Sequence, residues 1–208
     1  MKYFNTLVLS VISGILIGIG GTAYLSCESQ IVGSLFFTVG LFSIIVFGFN
    51  LYTGKVGYIL DNKPSYLIEV AIVWLGNSIG TVVFALLLMQ TRLSFLQEKV
   101  IDICEIKLSQ SPLSAFILSI FCGIIIYIAV ESNHLLKDFG KYISLFLSVC
   151  VFAISGFEHC IANMFYFTLG NSWSWKMALY IAIMTVGNAI GGLVIPVFKK
   201  LAKTEQNI

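Results

Sequence analysis

Two apolar stretches of this chain, 32–60 and 142–169, are longer than a single bilayer crossing requires, and polar residues and glycine interrupt each near its middle. The first interruption reads Phe47-Gly48-Phe49-Asn50-Leu51-Tyr52-Thr53-Gly54. The second reads Ser155-Gly156-Phe157-Glu158-His159-Cys160-Ile161-Ala162-Asn163. Polar groups are expensive in hydrocarbon, and irregular backbone persists there only where protein or a water-lined cavity surrounds it. Each stretch therefore reads as two half-helices joined by irregular backbone. Interruptions at corresponding places in two halves of a membrane chain point to one buried site.

Four more stretches, 5–25, 66–90, 112–131 and 174–198, have the roughly 20 mostly apolar residues that a spanning helix needs. Six spans then occupy almost all of the 208 residues. Only 11% of residues are charged and 58% are hydrophobic, against about 25% charged in a soluble domain. The expected fold is an all-α integral membrane protein forming one transmembrane domain over 1–208. A separate soluble domain has no room, and a net charge of +2 gives no sign of a nucleic-acid partner. Met1-Lys2 and the apolar run after it imitate a signal peptide, but that run is long enough to span and is read as the mature first span.

Orientation follows the Lys/Arg bias of short loops. With the N-terminus inside, the inner face collects Lys2, Lys55, Lys63, Lys137, Lys141, Lys199, Lys200 and Lys203; the outer face has Arg92, Lys99, Lys107 and Lys176. Both termini are expected in the cytoplasm, with Trp173 and Trp175 at the outer boundary of the last span. In the long loop 91–111, Leu93, Leu96, Val100, Ile103 and Ile106 recur at helical spacing among charged residues, which predicts an amphipathic helix on the outer surface.

The two halves, approximately 1–90 and 112–198, match at three anchors in the same order. Gly14-Ile15-Leu16-Ile17 resembles Gly123-Ile124-Ile125-Ile126; Gly48-Phe49-Asn50 resembles Gly156-Phe157-Glu158; Gly76-Asn77-Ser78-Ile79-Gly80 resembles Gly187-Asn188-Ala189-Ile190-Gly191. Three spans per half is an odd number, so the second half enters from the opposite side and an in-plane pseudo-twofold axis relates the two. Close helix packing accounts for the glycines, but not for Glu158 and His159.

The five cysteines, Cys27, Cys104, Cys122, Cys150 and Cys160, show no metal-ligand spacing; a Cys27–Cys104 bridge between outer loops is conceivable. No cofactor is implied. Paired aspartates, a serine with a base, and a His/Glu pair at helical spacing are all missing from the spans, so no enzymatic constellation is expected. His134 reads as a solvated residue of an inner loop.

Gly156-Phe157-Glu158-His159-Cys160-Ile161-Ala162-Asn163-Met164 closely resembles the G-F-E-H-x-x-A-N-M signature of formate/nitrite transporters, and Leu51-Tyr52-Thr53-Gly54 resembles the L-F-T-G segment of their first broken helix. Gly76-Asn77 and Gly187-Asn188 extend the resemblance over nearly the whole chain. It implies an aquaporin-like protomer assembled as a homopentamer in a bacterial inner or plasma membrane, passing formate, nitrite, hydrosulfide or similar small monovalent weak-acid anions, with an accompanying proton as a further partner. It implies that His159 is the central pore histidine, that Thr53 belongs to the substrate pathway, and that Lys107 supplies positive field near the outer mouth. Phe37, Leu41, Tyr52, Ile126 and Phe152 fall at positions resembling the apolar rings that pinch the pore. The chain departs from the pattern at Asn50, where the family usually has an acid, at Tyr52, and at Gly123, where several formate channels have an asparagine; the last change suits the hydrosulfide-type branch.

Physical chemistry reads the same residues in parallel. An anion crossing an apolar barrier needs positive potential or a way to become neutral. Half-helix N-termini offer unpaired N–H groups, and Thr53 adds a hydroxyl or, alternatively, only caps a helix. Glu158 is expected to support the broken-helix loop, with Asn50 and Asn163, by accepting hydrogen bonds from loose N–H groups. His159, neutral when desolvated, offers one N–H donor to an anion that crosses as the acid or with a shuttled proton; its bland alternative is a buried histidine satisfied by carbonyls. A second functional reading is an aquaporin-like channel for small neutral solutes, but paired Asn-Pro-Ala motifs are absent: Pro64, Pro112 and Pro196 lie elsewhere.

Overall fold

Glycines decide where helices of this chain touch. A Cβ on Gly14 would stand 2.2 Å from the Asn77 carbonyl oxygen, and one on Gly80 would stand 2.1 Å from that of Val11. In the other half, Gly123 approaches the Asn188 carbonyl at 2.3 Å and Gly191 that of Ile120 at 2.0 Å by the same measure. Only residues without a side chain allow these two backbone-to-backbone crossings. The asparagine that several formate channels carry has no room at position 123, because the backbone of the last helix fills that space.

The structure, a computed structural model, describes residues 1–205, with side chains described through residue 202; Lys203 of the inner-face set lies outside those side chains. Every regular element among the described residues is a helix. In chain order the helices are α1 (Lys2–Ser26), α2 (Gln30–Val46), α3 (Tyr52–Lys55), α4 (Tyr66–Leu88), α5 (Leu96–Ser109), α6 (Pro112–Leu135), α7 (Asp138–Ile154), α8 (Cys160–Leu169) and α9 (Trp175–Glu205). Helices α1, α4, α6 and α9 are each long and apolar enough to cross a membrane. The two overlong stretches are broken, into α2 with α3 and α7 with α8. The expected span limits are close, with three shifts: α6 runs on to Leu135, α7 starts as early as Asp138, and α9 runs on to Glu205. His134 therefore sits in the last turn of α6 and not in a loop.

Both breaks start alike. Gly48 has φ +69° and Gly156 has φ +68°, a left-handed turn that glycine takes without cost. It lets the Phe49 N–H donate back to the Ile44 carbonyl at 2.9 Å and the Phe157 N–H to the Phe152 carbonyl at 3.1 Å, closing α2 and α7. Beyond the break the halves differ. Cys160–Leu169 makes a ten-residue α-helix, fully buried. Tyr52–Lys55 makes only four α-helical residues before a 3-10 segment over Val56–Asp61. Gly54 and Gly57 weaken the helix there, and Gly57 lies so close to the Tyr127 ring and the Gly192 backbone that no side chain fits.

Packing is reciprocal. Helix α1 lies against α2 and α4, as α6 lies against α7 and α9, and α2 meets α7. The short helices cross over: α8 packs on α1 and α4 of the first half, and α3 on α6 and α9 of the second. Helix α5 is amphipathic, burying Leu96, Val100 and Cys104. Its Lys99 Nζ donates to the carbonyls of Leu25 and Cys27, both at 2.7 Å, where α1 ends. Cys27 and Cys104 are both free thiols, so no bridge joins them; burial pushes the Cys104 thiol up from its ordinary value, and its Sγ faces the Tyr166 carbonyl at 3.4 Å.

Candidate functional site

An asparagine staples each broken helix. Asn77 Oδ1 accepts from the Tyr52 N–H at 2.8 Å, while its Nδ2 donates to the carbonyls of Ser10 at 2.8 Å and Asn50 at 2.9 Å. In the other half Asn188 Oδ1 accepts from the Cys160 N–H at 2.9 Å, and its Nδ2 donates to the carbonyls of Ser119 and Glu158, both at 2.8 Å. Both asparagines are fully buried. The breaks leave backbone groups without helical partners, and one amide side chain serves a donor and an acceptor of each break. The correspondence also sets a register: Tyr52 answers to Cys160, Asn50 to Glu158 and Lys55 to Asn163.

The breaks meet at His159 and Thr53. Thr53 Oγ1 lies 2.9 Å from His159 Nε2, and both residues are buried. His159 is the N-cap of α8, and its Nδ1 accepts the Ala162 N–H at 3.1 Å. Since Nδ1 is engaged as an acceptor, the neutral ring carries its proton on Nε2, which donates to Thr53 Oγ1. Thr53 thus bonds to the imidazole instead of capping its own helix, and the imidazole is satisfied by a hydroxyl and a backbone N–H and not by carbonyls. Among the described residues, no cluster of metal-ligating side chains is found.

Two cavities lie near this pair: the smaller is lined by His159 itself, and the larger by Leu51 and Gly54 on either side of Thr53 in the chain. The smaller, about 50 Å³, is lined by Phe37, Phe152, His159, Asn163, Tyr166 and Lys107, among others. The larger, about 410 Å³, is lined by Leu41, Ile44, Lys55, Tyr58, Asn133 and His134 with other residues. Lys107 precedes the start of α6 and His134 is near its end, so the cavities open toward opposite ends of that helix. Of the five residues expected to pinch a pore, Phe37 and Phe152 stack edge to face at 5.5 Å between centroids, and the Phe152 ring lies 5.8 Å from the His159 ring. Leu41 lines the larger cavity. Tyr52 and Ile126 are buried and line neither, and the Tyr52 hydroxyl donates to the Thr185 carbonyl at 3.0 Å.

Lys107 and Glu158 differ from the sequence expectation. Lys107 is no lone cation: its Nζ pairs with Glu158 Oε2 at 2.6 Å, with the two side chains 14% and 3% exposed. The Glu158 carboxylate collects side-chain donors where loose backbone N–H groups were expected. Asn163 Nδ2 donates to Oε2 at 2.7 Å and Gln110 Nε2 to Oε1 at 2.7 Å. The backbone donor at the break, the Cys160 N–H, is taken by Asn188, leaving the carboxylate to Lys107. Gln110 is in turn fixed by Ser114, whose hydroxyl donates to its Oε1 at 2.8 Å, and by Tyr180, whose hydroxyl donates to its carbonyl. Asn50, the counterpart of Glu158, is buried and neutral.

The family model described as formate/nitrite transporter matches residues 1–200. The chain is 26% identical over 182 residues to formate channel FocB of Escherichia coli K12, covering 77% of this chain and 64% of that protein. It is 28% identical over 231 residues to the formate-nitrite transporter of Plasmodium falciparum, covering 92% of this chain and 75% of that one. Among solved structures, one described as a pentameric formate channel with formate bound superposes with TM-score 0.81 at 23% identity, covering 98% of both chains. An FNT family ion channel gives 0.77 at 19% identity, over 93% of this chain and 86% of the other. Both share the fold.

Proposed function

The chain belongs to the formate/nitrite transporter family, and from that premise we propose that it passes small monovalent anions of weak acids (formate, nitrite, hydrosulfide or similar) across a membrane by way of His159. It is an integral membrane protein, and its family is one of transporters, not of enzymes. The chain spans 64% of the length of FocB, so the substrate comes from the site. One observation carries the reading: the hydrogen bond between His159 and Thr53 joins two helix breaks, one lining the smaller cavity through His159 and the other lining the larger through Leu51 and Gly54.

The site fits the task physically. An anion entering the smaller cavity meets Phe37 and Phe152, whose apolar rings strip its water without replacing those hydrogen bonds. The fixed donors at the centre are the His159 Nε2–H and the Thr53 hydroxyl. A permeant small enough to displace one side of their mutual bond takes up that donor, and crosses as the neutral acid or with a shuttled proton. Asn50, Glu158 and Asn163 support the two loops from behind. Phe37 and Phe152 wall the smaller cavity and Leu41 the larger, while Tyr52 and Ile126 are buried and line neither; Lys107 stands at the smaller mouth as one half of an ion pair.

The halves 1–90 and 112–198 form one transmembrane domain related by an in-plane pseudo-twofold axis, joined by the segment 91–111. The mirrored asparagine bonds and glycine crossings support this. The excess of Lys on one side supports both termini in the cytoplasm, here of a bacterial inner or plasma membrane, and the pentameric solved relative supports a homopentamer. The test is flux in proteoliposomes of formate, nitrite, hydrosulfide and chloride across pH, with glycerol swelling alongside. His159→Ala and His159→Phe are expected to change anion flux and its pH dependence while the assembly elutes unchanged. Flux equal to that of the unmutated protein rejects the role of His159, and swelling in glycerol without anion flux rejects the anion reading.

A further inference from the structure

We propose that the larger cavity holds a second anion site, separate from His159, in which Lys55 binds a small monovalent anion before it reaches the constriction. This rests on the anion reading above. The asymmetry between the two breaks carries it. Beside the smaller cavity, the cation has a counter-charge: Glu158 pairs with Lys107 at 2.6 Å. In the register set by the asparagine staples, Glu158 answers to Asn50, an amide. The first break thus lacks the carboxylate that the second uses as counter-charge. At the same register Lys55 answers to Asn163, the residue that bonds Glu158 at 2.7 Å. A cation stands where the other half has an amide, and an amide where the other half has an anion.

Three carboxylates on the segments around this cavity are already matched. Glu131 accepts from the Tyr58 hydroxyl at 2.9 Å and pairs with Lys199 at 3.3 Å. Asp61 pairs with Lys200 at 2.9 Å, and Glu69 with Lys2 at 2.9 Å. Lys55 lines the cavity, half-buried, and among the described residues it has no ion-pair partner. The other polar lining residues include Asn62, Asn133 and His134, and no carboxylate lines the cavity. At about 410 Å³ it accepts an anion with part of its water, whereas the cavity at Lys107, about 50 Å³, holds little more than a bare one. An unmatched cation in a concave, partly apolar wall concentrates anions. Leu41, Ile44 and Leu51 continue the lining toward Thr53.

The test reads the cavity's potential without using transport. Val130 lines the cavity beside Gly54, and Val130→Cys serves as reporter in a Cys27→Ser, Cys150→Ser background; the remaining thiols, Cys104, Cys122 and Cys160, are buried. A sulfonate-bearing methanethiosulfonate should outpace its trimethylammonium analogue by roughly tenfold relative to a free thiol. Lys55→Gln should return the ratio to that of the free thiol, Lys55→Arg should keep it, and Asn50→Asp, which restores the missing counter-charge, should lower it. Millimolar formate or nitrite should protect the reporter when Lys55 is present and not in Lys55→Gln. A ratio unmoved by Lys55→Gln, or protection that survives it, overturns the site. Absence of anion flux with a normal ratio and normal protection refutes the transport reading and leaves this site standing.

Discussion

Asn188→Ala is expected to destabilise the protein by about as much as Asn77→Ala, because each removes the same three bonds from corresponding places. In Asn188→Ala the Cys160 N–H loses its acceptor and the Glu158 carbonyl loses its donor. The Ser119 carbonyl loses less, since it lies within α6 and keeps a helical N–H. A buried polar group left unpaired costs about 1–3 kcal/mol, and no bulk water reaches a side chain with 0% exposure. Two such groups give about 2–6 kcal/mol for each variant. For a chain of this size that is a fall in midpoint of roughly 4–24 °C. Asn188→Asp keeps the acceptor but turns an acid toward two carbonyls, so it should do no better than alanine. Thermal unfolding in detergent reads the loss, and amide exchange at Cys160 and Tyr52 locates it. Midpoints within a degree of the unmutated protein for either alanine variant, or one variant costing several times the other, would show that the breaks do not depend on these side chains.

The Lys107–Glu158 pair should show strong coupling: Lys107→Met alone strands a buried carboxylate and costs about 3–5 kcal/mol, whereas Lys107→Met with Glu158→Gln recovers most of that. Unfolding midpoints of the full double-mutant cycle check it, and additive losses would refute the pairing. Gly156→Ala should cost only about 1 kcal/mol, since its strain is confined to φ +68° with nothing within 4 Å of an added Cβ. Gly123→Ala forces a Cβ to 2.3 Å from the Asn188 carbonyl and should cost at least about 2–3 kcal/mol; expression and midpoint compared side by side distinguish the two glycines.

The periodic, one-dimensional features of this protein were legible before any coordinates. Span positions follow from hydropathy, and the breaks follow from Gly48 and Gly156 in apolar surroundings. The pairing of Asn77 with Asn188 was visible as a repeated motif, although their duty as staples was not: a buried Asn in a span announces a bond without naming its partners. Gln110 escaped notice altogether. It lies in an ordinary polar loop, and only the return of α5 against α8 brings it to Glu158, 48 residues away in sequence. Nothing in the sequence joins Lys107 to Glu158, because the two are 51 residues apart. The short 3-10 continuation after Tyr52–Lys55 was also missed. Gly54 and Gly57 weaken a helix, but the Tyr127 ring that presses on Gly57 comes from another span.

Thr53 offers the sharpest test of how the two breaks cooperate. The tautomer of His159 follows from helix capping: the Ala162 N–H occupies Nδ1, so the proton is on Nε2 and points at Thr53 Oγ1. Thr53 therefore accepts from the ring, and its own hydroxyl proton remains available for another acceptor. Thr53→Val keeps the shape but removes both functions, leaving the Nε2–H unpaired and the permeant without a hydroxyl donor. Thr53→Ser restores both. Loss of one such bond at the barrier top is worth about 1–3 kcal/mol, or about 5- to 160-fold in rate. Flux should fall by that factor in Thr53→Val and return in Thr53→Ser, with equal elution of all three proteins. If valine conducts as well as threonine, the central hydrogen bond is structural only, and His159 must meet the permeant without help from the first break.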